Sequence, residues 1–316
     1  MSRTRAGLVG LAVVAALALT ASCSSDDGGS SSPTFTPGST FSVPGPDDKG
    51  GKNNPVKVGV VGSSDAQWPP FVEAAKAEGI YVELVNLTDY ETGNPTLSAG
   101  DLDLNQFQHV LFLAKYNIDS GKDLVPVGST AIYPLALYSG KYDSVAAIPD
   151  GAQVVVPNDG TNQTRALQLL DSAGLIKLKD GTPLLSTTPD DIDTGASRVK
   201  VTPVAADQTT RSLEDPAVAG AVVNNDFVAP AGLDPADALV QDDPTVDGAK
   251  PYINIWVARS ADQYNPVFLK LIEIAQTDPV EAGLLKQSEN TAVLVHSTPA
   301  ELRTVLDDVT AQLKNS

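Results

Sequence analysis

Arg165 sits in the first turns of a helix that the sequence predicts from about Thr161, just after the run Val156-Pro157-Asn158-Asp159-Gly160-Thr161-Asn162. A guanidinium fork beside the free N–H groups of a helix start is a good receptor for a carboxylate. Alone, such an arginine is more often a solvated helix residue; its Asn-Asp-Gly-Thr-Asn setting is what points to a ligand. Asn162, three residues earlier, can present its amide on the same face. It can also help to cap the helix with Thr161, and the two roles are compatible. A second group is aromatic: Tyr90, Phe107, His109 and Phe112. Phe107 and His109 alternate, so both can point one way from an extended segment, and Phe112 follows as the chain turns helical. Any one of these rings alone would read as core. Asn224 and Asn254 lie near the ends of the apolar runs 219–223 and 253–257. Strand ends are where open α/β sheets collect ligands, and an amide can both accept from an ammonium and donate to a carboxylate. For Asn224 the following Asn225-Asp226 leaves a simple turn as an open alternative.

Catalytic arrangements are missing. The chain has two histidines, and His296 has no recognisable partner motif, so His109 reads as a neutral, hydrogen-bonding wall residue. There is no Gly-x-Ser-x-Gly elbow, no Cys/His pair, and no phosphate-cradling glycine pattern. The pairs Asp101/Asp103, Asp190/Asp191 and Asp307/Asp308 lack an ordered calcium-loop ligand set and read as solvated surface. We therefore expect no enzyme, no cofactor and no metal.

The elements that must position these residues alternate. Val56–Val61 is a short Val-rich run, Pro69-Pro70 opens a helix that Gly79 ends, and Tyr81–Leu87 is a second strand. Such alternation predicts parallel pairing with helical crossovers. Further strands are expected at 124–129, 132–138, 153–157, 199–204, 219–223 and 252–258, and helices at 109–117, 161–173 and 265–276. The last helix is the clearest: Thr298-Pro299-Ala300-Glu301 is a capping box, and Leu302, Val305, Leu306, Val309 and Leu313 line one face. About 260 ordered residues suggest two lobes rather than one core.

The 316 residues carry 21 Lys+Arg against 39 Asp+Glu, a formal charge of −18, which argues against nucleic acid or an anionic membrane surface as partner. The single Cys excludes an internal disulfide framework and Cys-rich metal sites. Arg3 and Arg5 precede an uncharged run from Ala6 to Ser22 that closes as Leu19-Thr20-Ala21-Ser22-Cys23, the pattern of an export signal over 1–22. Its ending resembles a bacterial lipobox, with Thr20 departing from the usual aliphatic residue, and implies lipidation at Cys23. Residues 23–55, rich in Ser, Gly, Pro and Asp, read as a flexible tether to the membrane, with ordered protein expected from Val56. Trp68 and Trp256 offer fluorescent reporters of any closure.

Several strings, in one order, resemble the NlpA/MetQ-type methionine-binding lipoproteins that serve ABC importers. They are Tyr90 and Asn94 with the run Ser98 to His109, then Val156 to Leu167 running on into Ala173 to Gly181, and Tyr133-Pro134 with Tyr138-Ser139. Ala221-Val222-Val223-Asn224, Ala231-Gly232-Leu233 and Pro251-Tyr252-Ile253-Asn254 complete the set. The resemblance implies a two-lobed α/β periplasmic-binding-protein fold (type II-like) with the ligand cleft between lobes. Lobe one would take 56–137 and 252–316, and lobe two 138–251. It implies a lipid-anchored, extracytoplasmic, monomeric protein that binds methionine, most simply the L form, and docks on an ABC permease/ATPase complex. Tyr90, Phe107, His109, Phe112, Asn162, Arg165, Asn224 and Asn254 would form the site, the aromatic walls suiting a thioether by about 0.3–1.5 kcal/mol per sulfur–ring contact. Phe112 stands where relatives commonly carry Tyr. Asn224-Asn225-Asp226-Phe227 departs from the family's Asn-x-Asn-Tyr, so only Asn224 is carried over. Alternatives are a relative tuned to a Met-containing dipeptide or another apolar amino acid, or an extracytoplasmic enzyme or sensor on the same fold.

Overall fold

The computed structural model describes residues 36–315; the signal segment, Cys23 and the start of the tether lie outside them. In chain order the elements are β1 (Val56–Val61), α1 (Trp68–Ala77), β2 (Val82–Leu87), α2 (Gly93–Ala99), β3 (Leu104–His109), α3 (Val110–Ser120), β4 (Val125–Ser129), β5 (Ala131–Ile132) and β6 (Ala136–Tyr138). Then follow β7 (Gln153–Pro157), α4 (Gly160–Ser172), β8 (Lys200–Val204), α5 (Thr209–Ser212), β9 (Val218–Val223) and β10 (Val240–Gln241). The chain ends with β11 (Asn254–Ala258), α6 (Pro266–Ala275), α7 (Asp278–Gln287), β12 (Val293–Leu294) and α8 (Pro299–Lys314).

Two five-stranded sheets carry the architecture, ordered β2-β1-β3-β11-β4 and β8-β7-β9-β6-β10. In each, four strands run one way, three of them paired side by side in parallel as the strand–helix alternation predicts, and a single strand, β11 in the first sheet and β6 in the second, runs against them. Alternation sorts side chains to opposite faces. From β11, Trp256 goes to the face covered by α1 and α6, while Ile255 and Val257 meet α3 and α8. In the second sheet Val154 and Val156 pack under α4, and Val155 faces the other way with Tyr138 and Val223. Each fully buried Val, Leu or Ile of these layers contributes about 1.5–3 kcal/mol by leaving water. Helix α1 starts on Pro69-Pro70 and stops where Gly79 takes φ +78°, a left-handed conformation in which a side chain would be strained. The capping box at Thr298 and Glu301 is formed in both directions.

Three expectations change. The strand expected at 132–138 breaks into β5 and β6, because Pro134 cannot donate to a ladder and residues 133–135 bend away. All of β6 pairs in the second sheet, so a lobe boundary after 137 would cut through a strand. The ordered chain also begins well before Val56. Phe41 packs on the core beneath α1, the Tyr81 N–H donates to the Gly50 carbonyl at 2.8 Å, and Lys49 Nζ sits 3.0 Å from Asp103. Turns built on Gly, Pro and Asp have no helical or strand period, so their packing leaves no trace in hydrophobic patterning. Among the described residues no helix is long and apolar enough to cross a membrane.

Candidate ligand-binding site

The carboxyl ends of the parallel strands β2, β3, β7 and β9 supply the segments around one cleft. After β7, Asp159 is the N-cap of α4: its carboxylate accepts from the Asn162 N–H at 2.9 Å, from Asn162 Nδ2 at 3.0 Å and from the Thr161 hydroxyl at 3.2 Å. This corrects two expectations. Asn162 and Thr161 bind the cap rather than forming it, and the helix start already holds an anion, so its N–H groups are not free for a ligand. Burial raises the Asp159 pKa, with the Asn162 and Thr161 hydrogen bonds pulling the other way. Thus anchored, Asn162 turns its Oδ1 toward His109.

His109 closes β3 and caps α3, its Nδ1 accepting from the Phe112 N–H at 3.1 Å. An accepting Nδ1 puts the proton of a neutral ring on Nε2, which then donates to Asn162 Oδ1 at 3.3 Å. Burial first, and the Arg165 charge second, push the His109 pKa down to about 3. The ring is neutral, as the sequence suggests. Phe107, two residues earlier, stacks on Tyr90 at 6.0 Å and meets Phe112 edge-on at 5.8 Å. Gly93 makes this possible, since any Cβ there would collide with the Phe107 ring.

Arg165 projects from the second turn of α4 and is almost fully buried. Asp242 takes its Nε and Nη2 at 2.5 and 3.0 Å, the Tyr133 carbonyl takes Nη2 at 2.8 Å, and the guanidinium lies 4.3 Å over the Tyr252 ring. No hydrogen bond engages Nη1 among the described residues. Asn224 follows β9 directly, and its buried Oδ1 has no partner among the described residues. Asn254 begins β11 rather than ending it. Because β11 runs antiparallel to β3, Asn254 pairs with His109 and so still lies at the carboxyl end of β3.

All eight residues selected from the sequence line a single cavity of about 440 Å³, mouth included. The lining adds Gln108, Tyr133, Asn225 and Asp226. Asp226 carries the only carboxylate in that lining and accepts from the Tyr90 hydroxyl at 2.8 Å; burial pushes its pKa up to about 6. The signal for it was its place two residues after Asn224. Tyr133 was visible in the Tyr133-Pro134 string but carried no role. Trp68 and Trp256 pack edge-on at 6.1 Å in the first sheet's outer core, and neither lines the cavity. Among the described residues no three His, Cys, Asp or Glu side chains cluster as a metal site. One guanidinium with a free edge, unpartnered amide acceptors and an aromatic wall suit reversible binding of a small dipolar molecule.

A family model described as NlpA lipoprotein matches residues 56–295. The D-methionine-binding lipoprotein MetQ of Salmonella typhi is 40% identical over 230 residues, covering 72% of this chain and 83% of that protein. Among solved structures, the substrate binding protein of a methionine transporter from Streptococcus pneumoniae has TM-score 0.70 and 38% identity, covering 76% of this chain and 95% of that one. A nutrient binding protein from Burkholderia cenocepacia, solved bound to methionine, has TM-score 0.70 and 35% identity, covering 76% of this chain and 99% of that one.

Proposed function

The chain belongs to the NlpA lipoprotein family of substrate-binding proteins, which are not enzymes, and from that membership we propose that it captures methionine outside the cytoplasm and delivers it to an ABC importer. The observation that carries this reading is the convergence of Arg165, three asparagines, His109 and three aromatic rings on one cavity. The ligand carboxylate meets Arg165 at Nη1, the edge left open by Asp242. Asn224 and Asn254 offer amide oxygens to the ammonium, and Tyr90, Phe107 and Phe112 surround the thioether.

Two lobes would surround the ligand, one built on the first sheet with the C-terminal helices and one on residues 136–251. Tyr90, Phe107, His109, Phe112 and Asn254 come from the first sheet's side, and Asn162, Arg165 and Asn224 from the second's. A ligand that touches both stabilises the closed form, which is the form that docks on the permease. Lipid on Cys23 would hold the protein at the extracytoplasmic face, working as a monomer. Calorimetry with L-methionine, D-methionine, glycyl-methionine and leucine tests the assignment. L-methionine should bind most tightly; no heat with it, while another of the four binds, would overturn the reading.

A further inference from the structure

The eight residues read from the sequence include one cation and no anion, yet a free amino acid brings both charges. The structure supplies the missing one. Asp226 lies in the 3-10 turn Asn225–Phe227 directly after β9, half-buried, with its carboxylate on the same cavity as Arg165. Its Oδ2 accepts from Tyr90, while no hydrogen bond reaches Oδ1 and no basic side chain pairs with it among the described residues. The groups that face it are Asp65 from the β1–α1 loop, Tyr90 from the β2–α2 loop and Tyr133 from the β5–β6 connection, none of them a cation. Across the cavity His109 is neutral and Arg165 is held by Asp242.

A desolvated carboxylate without a counter-charge is unfavourable until it is protonated or matched by a cation. Two residues away, Asn224 Oδ1 is a second acceptor with nothing to accept from. A charged acceptor beside a neutral one complements a primary ammonium, which has three N–H donors and no acceptor. We propose that Asp226 is the ammonium receptor of this cleft and, with Asn224, restricts its ligands to amino acids that carry a free, protonated amine. This rests on the amino-acid reading above.

The test compares L-methionine with 4-(methylthio)butanoate, the same molecule without its amine, by calorimetry on the wild type and on Asp226→Asn. Asn keeps an acceptor for the Tyr90 hydroxyl, so the fold is retained. The wild type should favour L-methionine at least 100-fold. In Asp226→Asn that preference should fall below tenfold because L-methionine weakens while the amine-free acid binds as before or tighter. A second arm needs no variant: from pH 7.5 to 5, wild-type affinity for L-methionine should fall and that for the amine-free acid should not. Unchanged affinities in Asp226→Asn, equal weakening of both ligands, or the same pH slope for both overturns the assignment. If leucine binds and L-methionine does not, the methionine reading is what fails, and leucine against 4-methylpentanoate then decides the role of Asp226.

Discussion

Asp242 holds Arg165 through both carboxylate oxygens, from a point 77 residues further along the chain. The pair fixes the guanidinium plane, Tyr252 supports its face, and the only edge left open is Nη1. Asp242 is thus a positioning residue for the proposed carboxylate contact. In Asp242→Asn the buried guanidinium keeps its charge and loses its partner, so we expect about 1–3 kcal/mol less stability in urea unfolding. Methionine affinity should fall at least tenfold because the fork is no longer oriented. Wild-type affinity in the variant would show that Arg165 works without this anchor.

Arg165 itself should be intolerant even of lysine. A lysine ammonium is a point charge and cannot satisfy Asp242, the Tyr133 carbonyl and a ligand from one plane. A charge-assisted hydrogen bond to a carboxylate contributes about 1.5–3 kcal/mol, which corresponds to roughly 10- to 150-fold in affinity. Calorimetry should show Arg165→Lys weakened in that range and Arg165→Ala without measurable binding. Full affinity in Arg165→Ala would move the carboxylate site elsewhere.

The contrast between Arg165 and Asp242 shows what a sequence makes legible. Arg165 stands in a local string whose helix start can be read from a few residues, and β1, α1, α4 and α8 announce themselves by period, proline and cap. All eight selected residues meet in one cavity because they sit at strand and helix ends that such patterns locate. Asp242 carries no local signal, since its meaning comes only from a partner brought near by folding. Asp226 was hidden differently: it departs from the family's usual residue at a site where the departure changes charge. Helix α2, whose sequence Gly-Asn-Pro-Thr-Leu-Ser-Ala has no apolar stripe, is held by burial of Leu97 and by amide contacts of Asn94 with Asn105 and Gln108. Tertiary contact overrides weak propensity there.

Residues 36–55 should behave as part of the fold and not as tether. A chain starting at Val56 loses the Phe41 packing, the Lys49–Asp103 pair and the Gly50 carbonyl that receives the Tyr81 N–H. Asp103 is buried; without Lys49 it keeps the Lys57 N–H, but its one remaining cation among the described residues is Arg259 at 3.8 Å. Compared with a chain starting at Thr36, we expect a Tm several degrees lower, since about 1 kcal/mol moves Tm by roughly 2–4 °C at this size. Equal melting temperatures would return these residues to the tether.

His109 should make the fold sensitive to mild acid. Its Nδ1 already accepts from the Phe112 N–H, so a proton there would set donor against donor and break the α3 cap. The folded pKa of about 3 lies below the ordinary 6.5, so between these values the unfolded chain binds the extra proton. Stability from His109 is therefore complete above about pH 6.5 and is lost as pH falls toward 3. Asp226 and Asp65 act with the opposite sign, because burial raises their folded pKa values to about 6 and about 7 and the fold holds their protons more tightly. The stability difference between wild type and His109→Gln isolates the histidine from these two. Urea unfolding should show that difference largest at pH 7.5, shrinking by at most about 1.4 kcal/mol per pH unit below 6.5. A constant difference from pH 7.5 to 4.5 would mean that His109 accepts a proton as easily in the fold as in the open chain, which the burial of the ring and the Phe112 N–H on Nδ1 argue against.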